Sequence, residues 1–366
     1  MEQVEIKKIT YKELTSYEVC EREDPYMLMR EYLTSNVCKA LLSNPNLVDY
    51  NATALNILVR DGEIVGRHML MPTRVKIRAH ILACQTGGSY EVCNQFRGYG
   101  FGTLLARESL INIKDNVLYI GQLYSTTAIE VVRKLGLFIF ELPLYYKLCH
   151  SRPVWEAKGL KGISLQACSA FADVLIKALD IPKRMKQRKL REKFLIKKES
   201  IIPEWVDDII LNDVHPYAEI HDRNWFQWCL DNKFTDEPQD CQSFYAVYDL
   251  DDNPKGFFMV KKRYETNQAA YTNVIRGMIV EWGSFDENEL NEIDLNLLAI
   301  QTLEKEVDNV VTVLSNGKFA KKMRKIGFIR HGNYQMAVNP GNLNVEGIED
   351  KGNWRIRYGG CNTILC

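Results

Sequence analysis

Short apolar runs separated by turn signals recur along the chain. Residues 56–60 and 63–67 are apolar-rich and flank Asp61-Gly62, a pair suited to a two-residue hairpin turn. Residues 244–248 and 256–260 flank Asp251-Asp252-Asn253-Pro254 and predict a second hairpin with a longer turn. Behind each hairpin the same order of elements recurs. In the first half the pattern predicts a strand at 89–93, a helix at 102–113, a strand at 117–124 and a short helix ending in Leu135-Gly136-Leu137. In the second it predicts a strand at 277–282, a helix at 290–304, a strand at 309–314 and a helix ending in Ile326-Gly327-Phe328. Asp61 and Asp252 are 191 residues apart, as are Gly136 and Gly327, and Ser125 and Asn316. A constant offset across matched features reads as a tandem duplication.

Between the halves, residues 165–179 are apolar and helix-compatible, and Pro182 ends that run. Residues 183–198 then hold nine Lys/Arg with Phe194 as the lone aromatic, which favours a solvated linker or exposed helix face over a nucleic-acid site. The closing segment keeps Trp354, Ile356 and Tyr358 and is expected to dock. The domain boundaries expected are 1–150, a connector at 151–200, a second domain at 201–340 and an extension at 341–366.

Composition narrows the class. The chain has 366 residues, 46% hydrophobic and 26% charged, with 47 Lys/Arg against 47 Asp/Glu. That is globular composition with no global pull toward polyanions. No nucleic-acid partner is expected. No run approaches ~18 consecutive apolar residues, so neither a membrane span nor a membrane partner is expected. The first ten residues carry Glu2, Glu5, Lys7 and Lys8 and show no secretory signal. Ten cysteines without CxxC spacing and six scattered histidines read as reduced thiols of a cytoplasmic protein with no metal site. The oligomeric state is left open.

The segment richest in chemistry is Glu91-Val92-Cys93-Asn94-Gln95-Phe96-Arg97-Gly98-Tyr99-Gly100-Phe101-Gly102-Thr103. Strand-like residues lead through three glycines and an arginine straight into a helix. Glycines let backbone N–H groups converge on one point, and a helix start adds partial positive charge. Such a nest suits a diphosphate. A bare structural turn seldom needs three glycines and an arginine. The spacing is not that of a Rossmann fingerprint or a P-loop.

Arg97-Gly98-Tyr99-Gly100-Phe101-Gly102 resembles the acyl-CoA loop of the GNAT superfamily of N-acetyltransferases. Ser125-Thr126-Thr127-Ala128 through Leu135-Gly136-Leu137 resembles that family's Asn-x-x-Ala…Leu-Gly-Phe segment. The second half is similar through Asn316 to Gly327-Phe328. A looser resemblance is to two-domain GNAT-like proteins of bacterial surface-polysaccharide loci. It runs through Gly62-Glu63-Ile64-Val65-Gly66 with Met71-Pro72, His221 to Trp228, and Trp354 to Gly360.

The resemblance implies an α+β fold of tandem GNAT-like domains, each a mixed, mostly antiparallel, splayed sheet flanked by helices. It implies acetyl-CoA as co-substrate, an amine acceptor (an amino sugar or sugar nucleotide, on the looser resemblance), and acyl transfer as the reaction. Backbone groups of Val92, Cys93 and Asn94 would meet the pantetheine arm. Gly98, Tyr99, Gly100, Phe101, Gly102 and Thr103, with Arg97, would hold the diphosphate, and Ser125 would stand near the CoA arm.

The family's tyrosine general acid falls on Val132 and Met323, which cannot donate a proton. Tyr124 is the expected substitute and Glu91 the expected base, with an oxyanion donor near Val92–Asn94. Cys93 has no neighbouring histidine in sequence and reads as a buried thiol. The second half carries Asn288, Asn291 and Ile293 where the first has Arg97, Gly100 and Gly102, so one CoA site per chain is expected. Glu281-Trp282 ends a strand in the second half, and His215, His221, Arg223, Trp225 and Trp228 cluster between residues 215 and 228 as a candidate acceptor wall, with core tryptophans favoured. Two other functions stay open: a CoA-binding or non-catalytic interaction module, and an aminoacyl-transferring relative anchored to tRNA by the basic run.

Overall fold

The computed structural model describes residues 4–14, 35–111, 118–123, 125–235, 237–265, 273–314, 319–341, 343 and 345–365. The first half runs β1 (Val4–Thr10), α1 (Tyr11–Leu14), α2 (Ser35–Leu42), β2 (Thr53–Arg60), β3 (Glu63–Ile77), β4 (His80–Val92), α3 (Phe101–Ile111), β5 (Leu118–Leu123), α4 (Thr126–Lys134) and β6 (Phe138–Leu148). The connector is α5 (Arg152–Ala157), α6 (Gly162–Leu179) and α7 (Ile181–Arg191). The second half runs β7 (Phe194–Glu199), α8 (Trp205–Leu211), β8 (Tyr217–Glu219), α9 (Arg223–Asp231), β9 (Cys241–Asp249), β10 (Pro254–Glu265), β11 (Val274–Ser284), α10 (Glu292–Leu303), β12 (Asn309–Val313), α11 (Ala320–Lys325) and β13 (Ile329–Asn339). β14 (Trp354–Arg355) and α12 (Cys361–Leu365) complete the order.

Local chemistry accounts for the turns. Asp61 and Gly62 adopt φ of 51° and 85°, the left-handed pair a two-residue hairpin requires. Gly136 and Gly327 sit at φ 79° and 86° behind α4 and α11, the usual helix stop. The offset of 191 residues holds throughout: displacing β6 by it lands on β13 end to end.

The strands form one mixed, mostly antiparallel sheet ordered β1-β2-β3-β4-β5-β13-β6-β12-β11-β10-β9-β7, with β8 on β3 and β14 on β8. β4–β5 and β11–β12 pair in parallel. The middle of the sheet is an exchange. β13, from the second half, pairs with β5 of the first, while β6, from the first, pairs with β12 of the second. The halves therefore share a continuous sheet with helices on its faces. β12, a central strand, is buried at all five positions, as a strand covered on both sides must be.

The connector is docked. Lys147 on β6 reaches Asp180 at 2.5 Å, and Lys183 reaches Asp180 at 2.8 Å and Glu304 at the end of α10. Lys186 pairs with Asp294 at 2.5 Å. Part of the basic run is thus structural and not solvated. α6 has 18 residues and is long and apolar enough, by length and composition, to cross a membrane, yet only 11% of it is buried. Counting consecutive apolar residues missed it because Ser164, Gln166, Ser169, Asp173 and Lys177 interrupt the run.

Candidate active site

β4 and β5 begin side by side and then separate. Their last paired residues are Gly87 and Gly121, while β4 continues to Val92. A bulge accompanies the split: the β3–β4 register shifts between Arg67 and Met69, and Ser89 takes φ 46°. Bulges bend a strand and re-aim the residues beyond them. The chain then turns through Gly98 and Gly100, at φ 92° and 83°, into α3.

The result is a cleft of about 350 Å³ whose lining includes Glu91, Arg97, Gly98, Gly100, Ser125 and Lys134. The first amides of α3 have no intrahelical acceptor, and the helix dipole favours an anion there. A Cβ at Gly98 or Gly100 would meet nothing within 4 Å, whereas one at Gly102 would stand 2.6 Å from Tyr90 Oη. That hydroxyl is buried without a hydrogen-bond partner among the described residues, and burial pushes the phenol well above its ordinary range. An orphaned donor beside a helix start, with open space over two glycines, fits a bound oxyanion. Tyr99, exposed, stacks on Phe101 at 6.0 Å with Arg60 4.9 Å from the centre of the neighbouring Phe96 ring.

The structure gathers most of the residues singled out in the sequence. Arg97, Gly98, Gly100, Gly102 and Thr103 line the cleft. Arg97 also donates through Nε to Val92 O at 3.1 Å, which fixes the loop. Glu91 lines the same cleft, half-buried, with Arg67 Nη2 3.4 Å away. Ser125 caps α4 by accepting from the Ala128 amide at 3.1 Å, so its hydroxyl is engaged. The Cys93 amide donates to Val65 O and its carbonyl accepts from Phe96, while Asn94 O accepts from Arg97. The Cys93 amide is thus tied to β3, and the carbonyls of Cys93 and Asn94 accept within the loop. The open edge of β4 is 88–92, behind the last β5 pair. Cys93 is buried, as expected of a core thiol. Tyr124 and Asn316 lie outside the described residues.

A second polar cluster sits at the root of the split and takes in His221, one residue of the candidate acceptor wall. A cavity of about 20 Å³ is lined by Thr86, Gln122, Glu219, His221, Glu281 and Tyr334, among others, enough for one water-sized group. His221 Nδ1 is 2.7 Å from Glu281 Oε2, and its Nε2 is 3.6 Å from Glu219 Oε1, beyond hydrogen-bond reach. The imidazole stacks on Trp225 at 3.8 Å. Burial alone would push it down, but Glu219 and Glu281 outweigh that and raise it to about 9. Arg355 donates to Glu281 Oε1 at 2.7 Å, and Gln122 donates to Tyr334 Oη at 2.7 Å. The C-terminal segment thus closes over both halves: the Thr363 amide donates to Gln122 Oε1 at 3.1 Å, and Lys261 donates to the carbonyls of Thr363 and Ile364.

No family model and no curated protein sequence matches the chain. Solved structures do. Saccharomyces cerevisiae N-myristoyltransferase with bound myristoyl-CoA superposes with a TM-score of 0.57 at 12% identity, covering 93% of this chain and 84% of that one. A conserved Enterococcus faecalis protein of unknown function, described as a probable N-acyltransferase, gives 0.53 at 15%, covering 92% and 72%. A GCN5-related N-acetyltransferase from Anabaena variabilis gives 0.53 at 10%, covering 93% and 73%. The chain has the GNAT fold.

Within the GNAT fold the two helix starts differ. At α3 the cradle is open. At α10, Asn291 Oδ1 accepts from the amides of Ile293 and Asp294, and Asn291 Nδ2 donates to Asp294 Oδ2 at 2.6 Å. Glu292 and Asp294 are buried there, and carboxylates repel a diphosphate. Val132 and Met323, where the sequence resemblance led to the expectation of a tyrosine, are core residues.

Proposed function

We propose that the protein is an acyl-CoA-dependent N-acyltransferase that moves an acetyl group from acetyl-CoA to a small-molecule amine, with one donor site, in the first half. The single observation carrying this is the cradle at 97–103: two left-handed glycines, a helix start and the orphaned Tyr90 hydroxyl facing one cleft. The amides from Gly98 to Thr103 would hold the diphosphate, and the exposed Tyr99 face suits an adenine ring. The open edge of β4 offers hydrogen bonds to the pantetheine amides and polarises the thioester carbonyl. The second half, with its filled α10 start, serves as the acceptor-side wall. That the halves arose by duplication is part of the same reading, on the constant offset.

The acceptor amine must lose a proton. Glu91 stands at the mouth of the split, and Glu219 at its root beside the cavity. Glu91→Gln is expected to lower kcat by about 10²–10⁴-fold with CoA affinity kept. An effect confined to Glu219→Gln would move the base to the root of the split.

Isothermal titration of the full chain with acetyl-CoA tests the donor site. Wild type should bind and Gly100→Glu should not; equal binding by both ends the assignment. Thiol release with a panel of amines tests turnover, and binding without turnover would leave a CoA-binding module. A tRNA-anchored relative would bind RNA with steep salt dependence, through a basic run from which Lys183 and Lys186 are withdrawn by Asp180, Glu304 and Asp294; flat binding would remove it.

A further inference from the structure

The connector presents an apolar face that no described residue covers. Phe171, Val174 and Leu179 on α6 are 68%, 62% and 74% exposed, and Ile163 and Leu175 are exposed too. With Ala167, Ala170 and Ala178 they recur every three or four residues. At about 100° per residue they occupy one half of the helix circumference. The opposite side carries the buried Leu165 and Ser169, and Asp173, which accepts from the Ser151 amide at 2.8 Å. The helix is apolar outward, the reverse of an ordinary surface helix.

α7 continues the face with Ile181 and Met185, both exposed, interleaved at helical spacing with Arg184 and Arg188. Residues 158–193 hold ten Lys/Arg and three Asp/Glu, in a chain whose totals balance. Lys183 and Lys186 are spent on structural pairs. Arg184, Lys189 and Arg191 are exposed and make no ion pair among the described residues.

We propose that α6 and α7 form a docking surface for an anionic lipid bilayer, with α6 lying in the plane of the interface. Its apolar half enters the headgroup–acyl boundary while the α7 cations meet anionic headgroups. Charge selects this occupant: a second copy docked symmetrically on the same face would bring two basic helices together. α6 does not leave the protein to span the bilayer. Its inner side is held by the Asp173–Ser151 bond and by Ser151 Oγ donating to Ser169 O at 3.2 Å, and its end by the buried Asp180. This runs against the expected absence of a membrane partner, which rested on consecutive apolar residues and not on a helix face. It is independent of the reading of the cleft.

The test is co-sedimentation of the full chain with vesicles of phosphatidylcholine alone or mixed with phosphatidylglycerol. Wild type should sediment with the mixed vesicles, less so as salt rises, and little with phosphatidylcholine. Phe171→Glu with Leu175→Glu should lower partitioning on the order of a hundredfold at an unchanged melting temperature. Arg184→Glu with Lys189→Glu, which leaves the apolar face intact, should abolish the anionic preference. No sedimentation by wild type, or equal sedimentation by the first variant, overturns the proposal. So does concentration-dependent self-association without vesicles that the first variant abolishes, which would assign the face to a second copy.

Discussion

At the scale of the residue, the cradle turns on the contact between Gly102 and Tyr90. Any side chain at Gly102 drives into a buried hydroxyl, and overpacking of this kind costs about 1–3 kcal/mol. Gly102→Ala should weaken CoA binding about tenfold by calorimetry. His221 carries a pH dependence. Its folded value of about 9 lies above the ordinary 6.5, so its stabilisation is complete below about pH 6.5 and is lost as pH rises through 9, up to about 3 kcal/mol in all. Urea midpoints should fall across that window. His221→Gln should flatten the fall and cost about 3–5 kcal/mol at neutral pH, because Glu281 and Glu219 lose the charge between them.

At the scale of the element, equivalent turns differ in what surrounds them. Gly136 and Gly327 stand behind matching helices with matching φ, but a Cβ at Gly136 meets open space, whereas one at Gly327 meets Lys147 Nζ at 2.7 Å and Asp180 Oδ1 at 2.9 Å. Gly136→Ala should cost about 1 kcal/mol from backbone strain. Gly327→Ala should cost about 2–4 kcal/mol, since it also disturbs a buried ion pair; paired denaturant titrations give the difference. The hairpins, α3, α10 and both glycine stops were legible because each depends on residues a few positions apart. β1, β6, β7, β8 and β13 were not anticipated: their apolar residues carry no turn signal of the Asp-Gly kind, so the pattern left them unassigned. The long β4 and its bulge were also missed, because a bulge breaks the strict alternation by which strands are read.

At the scale of the whole molecule, the exchange of β6 and β13 makes each half depend on the other. Residues 1–150 alone would leave β6 without β12 and β5 without β13. That fragment should not fold by circular dichroism, whereas the full chain should unfold in one transition; a stably folded fragment would show that the shared strands are dispensable. The same exchange accounts for the polar cluster. Gln122 from the first half, Glu281 from the second and Arg355 from the C-terminal segment meet only because both halves share one sheet.

The sequence by itself determined the left-handed turns, the constant offset and the glycine cradle, since backbone freedom and a helix start depend on neighbours along the chain. The tertiary structure decided which strands pair, that the Cys93 amide is tied to Val65 on β3, that His221 lies between two carboxylates, and that α6 turns its apolar half outward. Those outcomes depend on which surfaces of distant segments are buried against each other, and a hydrophobic pattern records that a face is apolar without recording what covers it.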